Sequence, residues 1–179
     1  SWALIAGVFI SIMMVGYFSM DSKSELNKME NRLARVKKWE KCDTTFAEYP
    51  QQVNTSSLYS DRLNNANAYK VYQLHSAYNN YLGSKGAAAE YAQRADTAST
   101  KEMKKGYLAQ QKDYEKSAEK YLEEYDEWNK MSFRKVKSVA VNECKADVKE
   151  ARVGAMIMRF LFILSLLMVP LYIMASYQY

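Results

Sequence analysis

Two long runs without a charged side chain stand near opposite ends of the chain, and they limit the fold more than any other feature. Trp2 to Met20 reads WALIAGVFISIMMVGYFSM, nineteen uncharged residues. Phe160 to Ser176 reads FLFILSLLMVPLYIMAS, seventeen more, and VGAMIM extends it backward across a single Arg159. A bilayer core of roughly 30 Å takes about 20 helical residues. In hydrocarbon every backbone N–H and C=O has to be satisfied within its own segment, so both runs are expected to be helices. A cleaved signal peptide is the competing reading of the first run. That run has no basic n-region, its apolar stretch is longer than a usual h-region, and no clear small-x-small site precedes Asp21. A retained anchor is the expectation.

The region between the runs is polar and almost free of Gly and Pro. Alternating Val/Ile/Thr runs joined by two-residue turns are missing, so strands are not expected. The expected fold is an all-α membrane protein. Transmembrane helix 1 covers 1–20, a helical stalk domain covers 21–152, and transmembrane helix 2 covers 153–177. The two spans bracket an elongated antiparallel helical or coiled-coil bundle.

Punctuation within the stalk predicts helices over about 22–41, 57–82 and 87–152. Ser22 and Glu25 have capping-box spacing, so a helix is expected to restart or bend as it leaves the membrane. Leu26, Met29, Leu33 and Val36 form one apolar stripe reaching Trp39. CDTTFAEYPQQVNTSS, with Pro50, reads as a loop. Val71, Leu74, Tyr78 and Tyr81 mark the second helix. Gly83-Ser84-Lys85-Gly86 is the clearest turn signal, with Thr97 to Thr100 a second interruption.

The formal net charge is +5 and the sequence pI is near 9.0. Lys and Arg are mixed with Asp and Glu throughout the stalk, as on solvated helix faces. No Arg-rich block, zinc-finger spacing or RNA-binding aromatic motif appears, so nucleic acid is not an expected partner. The expected partners are the lipid bilayer and either other subunits of a membrane complex or further copies of the chain.

Lys23, Lys28, Arg32, Arg35, Lys37 and Lys38 follow the first run, and Lys145, Lys149 and Arg152 precede the second. The positive-inside rule counts these cations and largely ignores acids. It places the middle domain on the cytoplasmic side of an inner or plasma membrane, or on the matrix side in an organelle, with the termini opposite. Cys42 and Cys144 offer a competing view, because a pair in an extracytoplasmic domain often forms a disulfide. On straight helices Cys42 would stand about 33 Å beyond the first span and Cys144 about 18 Å from the second. A disulfide needs Cα atoms within about 7 Å, yet a bend at Asp21–Ser24 could remove the mismatch. Both readings stay open at this point, and so does glycosylation at Asn54-Thr55-Ser56.

Catalytic constellations are thin. His75 is the single histidine and has neither a second His nor a nearby Cys with which to hold a metal. Glu123, Glu124, Asp126 and Glu127 lie within helical reach of Lys116, Lys120 and Lys130, which reads as a solvated, salt-bridged face. P-loop, dinucleotide and nucleophile-elbow motifs do not appear. No enzyme activity, cofactor, metal or catalytic residue is expected. Arg159 lies close enough to the boundary of its run to extend its head to the interface. Trp2, Tyr17, Tyr172 and Tyr177 are expected interface anchors. Pro170 is expected to be a tolerated proline within a passive span.

The chain has fifteen tyrosines. Tyr107, Tyr114, Tyr121 and Trp128 recur every seven residues and form the candidate interaction seam. Such rings are too bulky for a tight two-helix zipper, which prefers Ile, Val and Leu. They suit a broader bundle or a surface that a partner covers; the plainer alternative is packing on the chain's own Tyr69–Tyr81 helix. The expected function is a structural or accessory subunit of a membrane complex, acting through this Tyr-rich stalk. An oligomeric channel or permeabilising protein built from two-span hairpins is the alternative.

Overall fold

A computed structural model describes residues 2–40 and 55–177. The described residues are all-helical: α1 (Trp2–Lys37), α2 (Thr55–Asp61), α3 (Ala66–Asp96), α4 (Lys101–Lys130) and α5 (Phe133–Tyr177). They form two compact units. Unit 1 joins Ser1–Lys37 to Val141–Tyr179, and unit 2 is Lys38–Ala140.

Unit 1 pairs α1 with most of α5. Its helices run antiparallel: Glu30 Oε1 accepts from Arg152 Nη2 at 3.2 Å, while a Cβ placed on Gly16 would stand 3.1 Å from the Phe162 ring. Shielded side chains on α1 recur at alternate steps of four and three, from Val8, Ile12, Val15 and Ser19 onward to Val36. The matching series on α5 runs Val141, Cys144, Val148, Ala151, Ala155, Met158 and onward to Val169. Alternate three and four is the spacing of a coiled-coil seam. The stripe Leu26, Met29, Leu33 and Val36 belongs to it.

No bend or restart occurs at Asp21–Ser24. There α1 is continuous; Ser22 Oγ donates back to Phe18 O at 2.8 Å and Glu25 bonds Lys28 at 3.2 Å. Neither side chain is left for a capping box. Among the described residues one stretch is long and apolar enough to cross a membrane, within Phe133–Pro170 of α5. The first expected span lies on α1.

Unit 2 is built on the α3–α4 hairpin, with α2 packed on α3. The expected turn at 83–86 is not there. Gly83 and Gly86 lie inside α3 with ordinary helical φ. The chain reverses instead at 97–100. Thr97 Oγ1 donates to Gln93 O at 3.2 Å, and Thr100 Oγ1 accepts from Met103 N at 3.2 Å to cap α4. Two helical glycines cost roughly 2 kcal/mol relative to Ala. Carrying α3 past them buries Ala88 and Ala95 and sets Tyr91 against Tyr107 and Tyr114. Each such ring pair contributes about 0.5–1.5 kcal/mol beyond its burial, so the longer hairpin offsets the glycines.

Two further breaks differ from the expected helices. The second helix divides into α2 and α3, and Asn65 Oδ1 caps α3 by accepting from Ala68 N at 2.7 Å. The third expected helix divides three ways, the last break falling at Met131–Ser132. Ser132 starts α5, accepting at its carbonyl from Val136 N at 3.0 Å. The Pro50 loop, the Asn54 acceptor and Cys42 lie outside the described residues.

Candidate interaction surface

The aromatic period of seven on α4 is one half of a seam. Gln111, Ala118 and Tyr125 interleave with Tyr107, Tyr114, Tyr121 and Trp128 at alternate steps of four and three, and all seven are shielded to some degree. Trp128, 7 % exposed, meets the buried Tyr69 of α3 edge-on at 5.9 Å. Tyr69 in turn meets Trp39 at 5.9 Å. Tyr125 packs on Tyr78 at 5.8 Å. At the other end Tyr91 stacks on Tyr114 at 5.4 Å and lies 6.2 Å from Tyr107. Tyr121 is half-buried and has no ring pair among the described residues.

The seam is graded along its length. Near Trp128 its rings are buried; near Tyr107 and Tyr114 they are half-exposed and adjoin exposed Met103 and Leu108. Between these ends Ala88, Ala89, Ala92 and Ala118 leave a groove of about 470 Å3, edged by Lys85 on α3 and Glu115 and Glu119 on α4. The groove lining contains no His, Cys or Ser.

Sequence reasoning missed Lys70. It is 1 % exposed and donates to Asn129 O at 2.8 Å and to Met131 O at 3.2 Å. A cation on the last carbonyls of a helix satisfies acceptors that have no partner within the helix and complements its dipole. Lys137 Nζ donates likewise to Trp39 O at 3.0 Å. Arg62 is also buried, its guanidinium 3.6 Å from the Tyr59 ring centre and its Nη1 donating to Tyr59 O at 2.9 Å.

His75 is half-buried on α3, and Cys144 is buried on α5. The candidate Cys42–Cys144 disulfide falls partly outside the described residues. Glu123, Glu124, Asp126 and Glu127 are half-buried or exposed on α4. Among the described residues none closes an ion pair with Lys116, Lys120 or Lys130. The face is solvated but not salt-bridged. Among the described residues no group of three or more His, Cys, Asp or Glu is placed to hold a metal ion.

Large apolar side chains point outward from both helices of unit 1. On α1 they run from Phe9, 66 % exposed, through Met13 and Tyr17 to Met20. On α5 they run from Val153 and Met156 through Phe160, Ile163 and Leu167 to Met174. Arg159 is exposed within this band, and so is Pro170. The Ser11 and Ser165 hydroxyls donate to Gly7 O and Phe162 O of their own helices, at 2.9 and 2.7 Å. No protein-family model, curated protein or solved structure matches the chain.

Proposed function

We propose that this protein is a non-enzymatic, two-span membrane protein that serves as a structural or accessory subunit of a larger membrane complex. The outward apolar band of unit 1 carries the reading. A helix pair folded for water puts its large apolar residues in the seam and polar ones outside. Here the seam holds Gly16, Ser19, Ala155 and Ser165 among Ile12, Val15, Met158 and Phe162, yet Phe9, Phe160 and Leu167, as large and as apolar, face outward. Serines bonded within their own helices are compatible with hydrocarbon, where other partners are scarce.

The two spans are 1–20 on α1 and 153–177 on α5, with Arg159 extending its head toward the interface. By the positive-inside rule unit 2 faces the cytoplasm or matrix. The half-exposed end of the seam, at Tyr107 and Tyr114 with Met103 and Leu108, is its partner-binding face. Tyr and Met are enriched at interfaces, where an apolar body and a polar edge are both useful. The channel alternative has no observation in its favour: the apolar stretches carry isolated serines, already bonded to their own backbone.

Alkaline extraction of native membranes, followed by purification in gentle detergent, tests both parts of the proposal. The protein is expected to stay in the pellet and to co-purify with defined subunits whose recovery falls on Tyr107→Ala with Leu108→Ala. Release into the alkaline supernatant would remove the membrane assignment. A monodisperse protein without partners would remove the subunit assignment. Because Cys144 is buried, sidedness is better probed by a thiol placed at exposed Glu102 than by the natural cysteine.

A further inference from the structure

We propose that Lys23 and Arg159 together bind the phosphate of an anionic phospholipid, a proposal that rests on the membrane-spanning reading of unit 1. Unit 1 has one interhelix ion pair among the described residues. Glu30 of α1 and Arg152 of α5 close it at 3.2 Å. In an antiparallel pair with a seven-residue repeat, the equivalent positions one repeat toward the apolar end are seven residues earlier on α1 and seven later on α5. Those positions are Lys23 and Arg159. The place of an acid–base pair is taken by two cations.

Both are exposed, and neither closes an ion pair or a side-chain hydrogen bond among the described residues. The nearby acids do not answer them. Glu25 is held by Lys28 and Glu30 by Arg152. Asp21 is two residues from Lys23, a spacing that puts two helical side chains on different faces. Two like charges at an interhelix position repel unless an anion lies between them. A phosphate diester brings one negative charge and two free oxygens to the two cations, and Arg binds phosphate through a two-pronged, charge-assisted geometry.

Depth selects the source of that phosphate. Asp21, the first charge on α1, marks where the hydrocarbon must end on that helix. From the Gly16–Phe162 contact, Arg159 stands about 4.5 Å toward the polar end and Lys23 about 10 Å. They therefore bracket the level of Asp21. The exposed Val153, Met156 and Ile157 continue the apolar surface past this level and keep the α5 side wetted by lipid rather than by bulk water. The anion available at the inner edge of a headgroup layer is a lipid phosphate.

The test uses the full-length protein in phosphatidylcholine nanodiscs doped with phosphatidylglycerol, with retained lipids counted by native mass spectrometry. Phosphatidylglycerol is expected to be retained in preference to phosphatidylcholine. Lys23→Gln or Arg159→Gln should each weaken retention about fivefold, and the pair roughly 30-fold. Lys145→Gln, farther along α5, should leave it unchanged. Lys23→Glu recreates the ion pair found one repeat away; it should abolish retention without lowering the thermal midpoint of the helices, an outcome that a purely structural role would not produce.

Retention at the wild-type level in the double Gln variant would overturn the site. Loss of the lipid to excess inorganic phosphate would make it a general phosphate site and overturn the lipid assignment. If alkaline treatment releases the wild-type protein from membranes, the spanning reading fails and this proposal with it. A protein that stays embedded while the double variant keeps its phosphatidylglycerol defeats this proposal alone.

Discussion

Unit 1 and unit 2 use the same seam and opposite surfaces. Both are antiparallel helix pairs with shielded positions at alternate steps of three and four. In unit 2 the seam holds Tyr69, Tyr125 and Trp128 while Lys and Glu cover α4 outside. In unit 1 the seam mixes Gly16, Ser19 and Ala155 with Val15, Met158 and Phe162, and Phe9, Phe160 and Leu167 lie outside. The period decides which residues meet their neighbour helix, whereas the polarity of the outer face decides what medium the pair suits. A hydrophobic stripe alone would have given both units the same description.

The largest effect that separates them is in the seam of unit 2. Trp128→Ala removes a buried ring from the Trp39–Tyr69–Trp128 cluster and should cost about 3–5 kcal/mol. Chemical denaturation followed by tyrosine fluorescence, with far-UV circular dichroism for total helix, reads it. Unit 2 should melt earlier while a helical remainder persists. Unfolding of both units together, or a loss under about 1 kcal/mol, would mean the ring cluster does not hold unit 2 in the way described.

Next comes the outer face of unit 1. Leu167 is 64 % exposed, and in water an exposed Leu→Asp change stays within about 0.5 kcal/mol. At the centre of a membrane span the same charge costs about 2.5–3.5 kcal/mol. Leu167→Asp should therefore reduce membrane insertion strongly, as measured by the fraction resisting alkaline extraction. Leu108→Asp, on an exposed face of unit 2, is the matched control and should leave it unchanged. Equal behaviour of the two variants would erase the distinction between the surfaces.

How far the fold was legible follows from the reach of each signal. The seam of α4, the stripe on α1 and the helical class all come from short-period patterns, which one helix reveals by itself. The turn did not. Gly83 and Gly86 are strong local breakers, yet the reversal lies at Thr97–Thr100 because Tyr91 finds partners on α4 only if α3 continues. The break at Ser132 had a local sign, a Ser able to cap α5, but with no Gly or Pro beside it the stretch reads as continuous helix. Lys70 was least legible. Its acceptors lie on Asn129 and Met131, so its burial depends on where a distant helix ends. The proposed Lys23–Arg159 site likewise depends on the register that Glu30–Arg152 sets.

The glycines carry the comparison to smaller effects. Gly83 and Gly86 have no positive φ, and a Cβ on either would meet nothing within 4 Å. Gly83→Ala with Gly86→Ala should stabilise unit 2 by roughly 1–2 kcal/mol, raising its denaturation midpoint. A decrease would show that α3 needs the pliancy of these positions.

The smallest effect is the sharpest test of unit 1. Gly16 is also helical, but a Cβ there would stand 3.1 Å from Phe162 Cε2, 3.7 Å from Cδ2 and 3.7 Å from Cζ. Helix propensity favours Ala by about 1 kcal/mol, and forcing volume into a packed contact costs about 1–3 kcal/mol. A ring edge can retreat by a few tenths of an ångström, so the two terms nearly cancel and the net change should fall below about 1 kcal/mol, on the destabilising side. Gly7→Ala on the same helix meets nothing within 4 Å and supplies the propensity term alone. The difference between the two variants, read as a shift in thermal midpoint in the same detergent, isolates the closeness of α1 to α5. It should vanish when Phe162→Leu removes the ring. If Gly16→Ala and Gly7→Ala behave alike with Phe162 present, the helices of unit 1 are not in contact at that level, and the close approach at Gly16 is no longer what distinguishes this unit from the aromatic one.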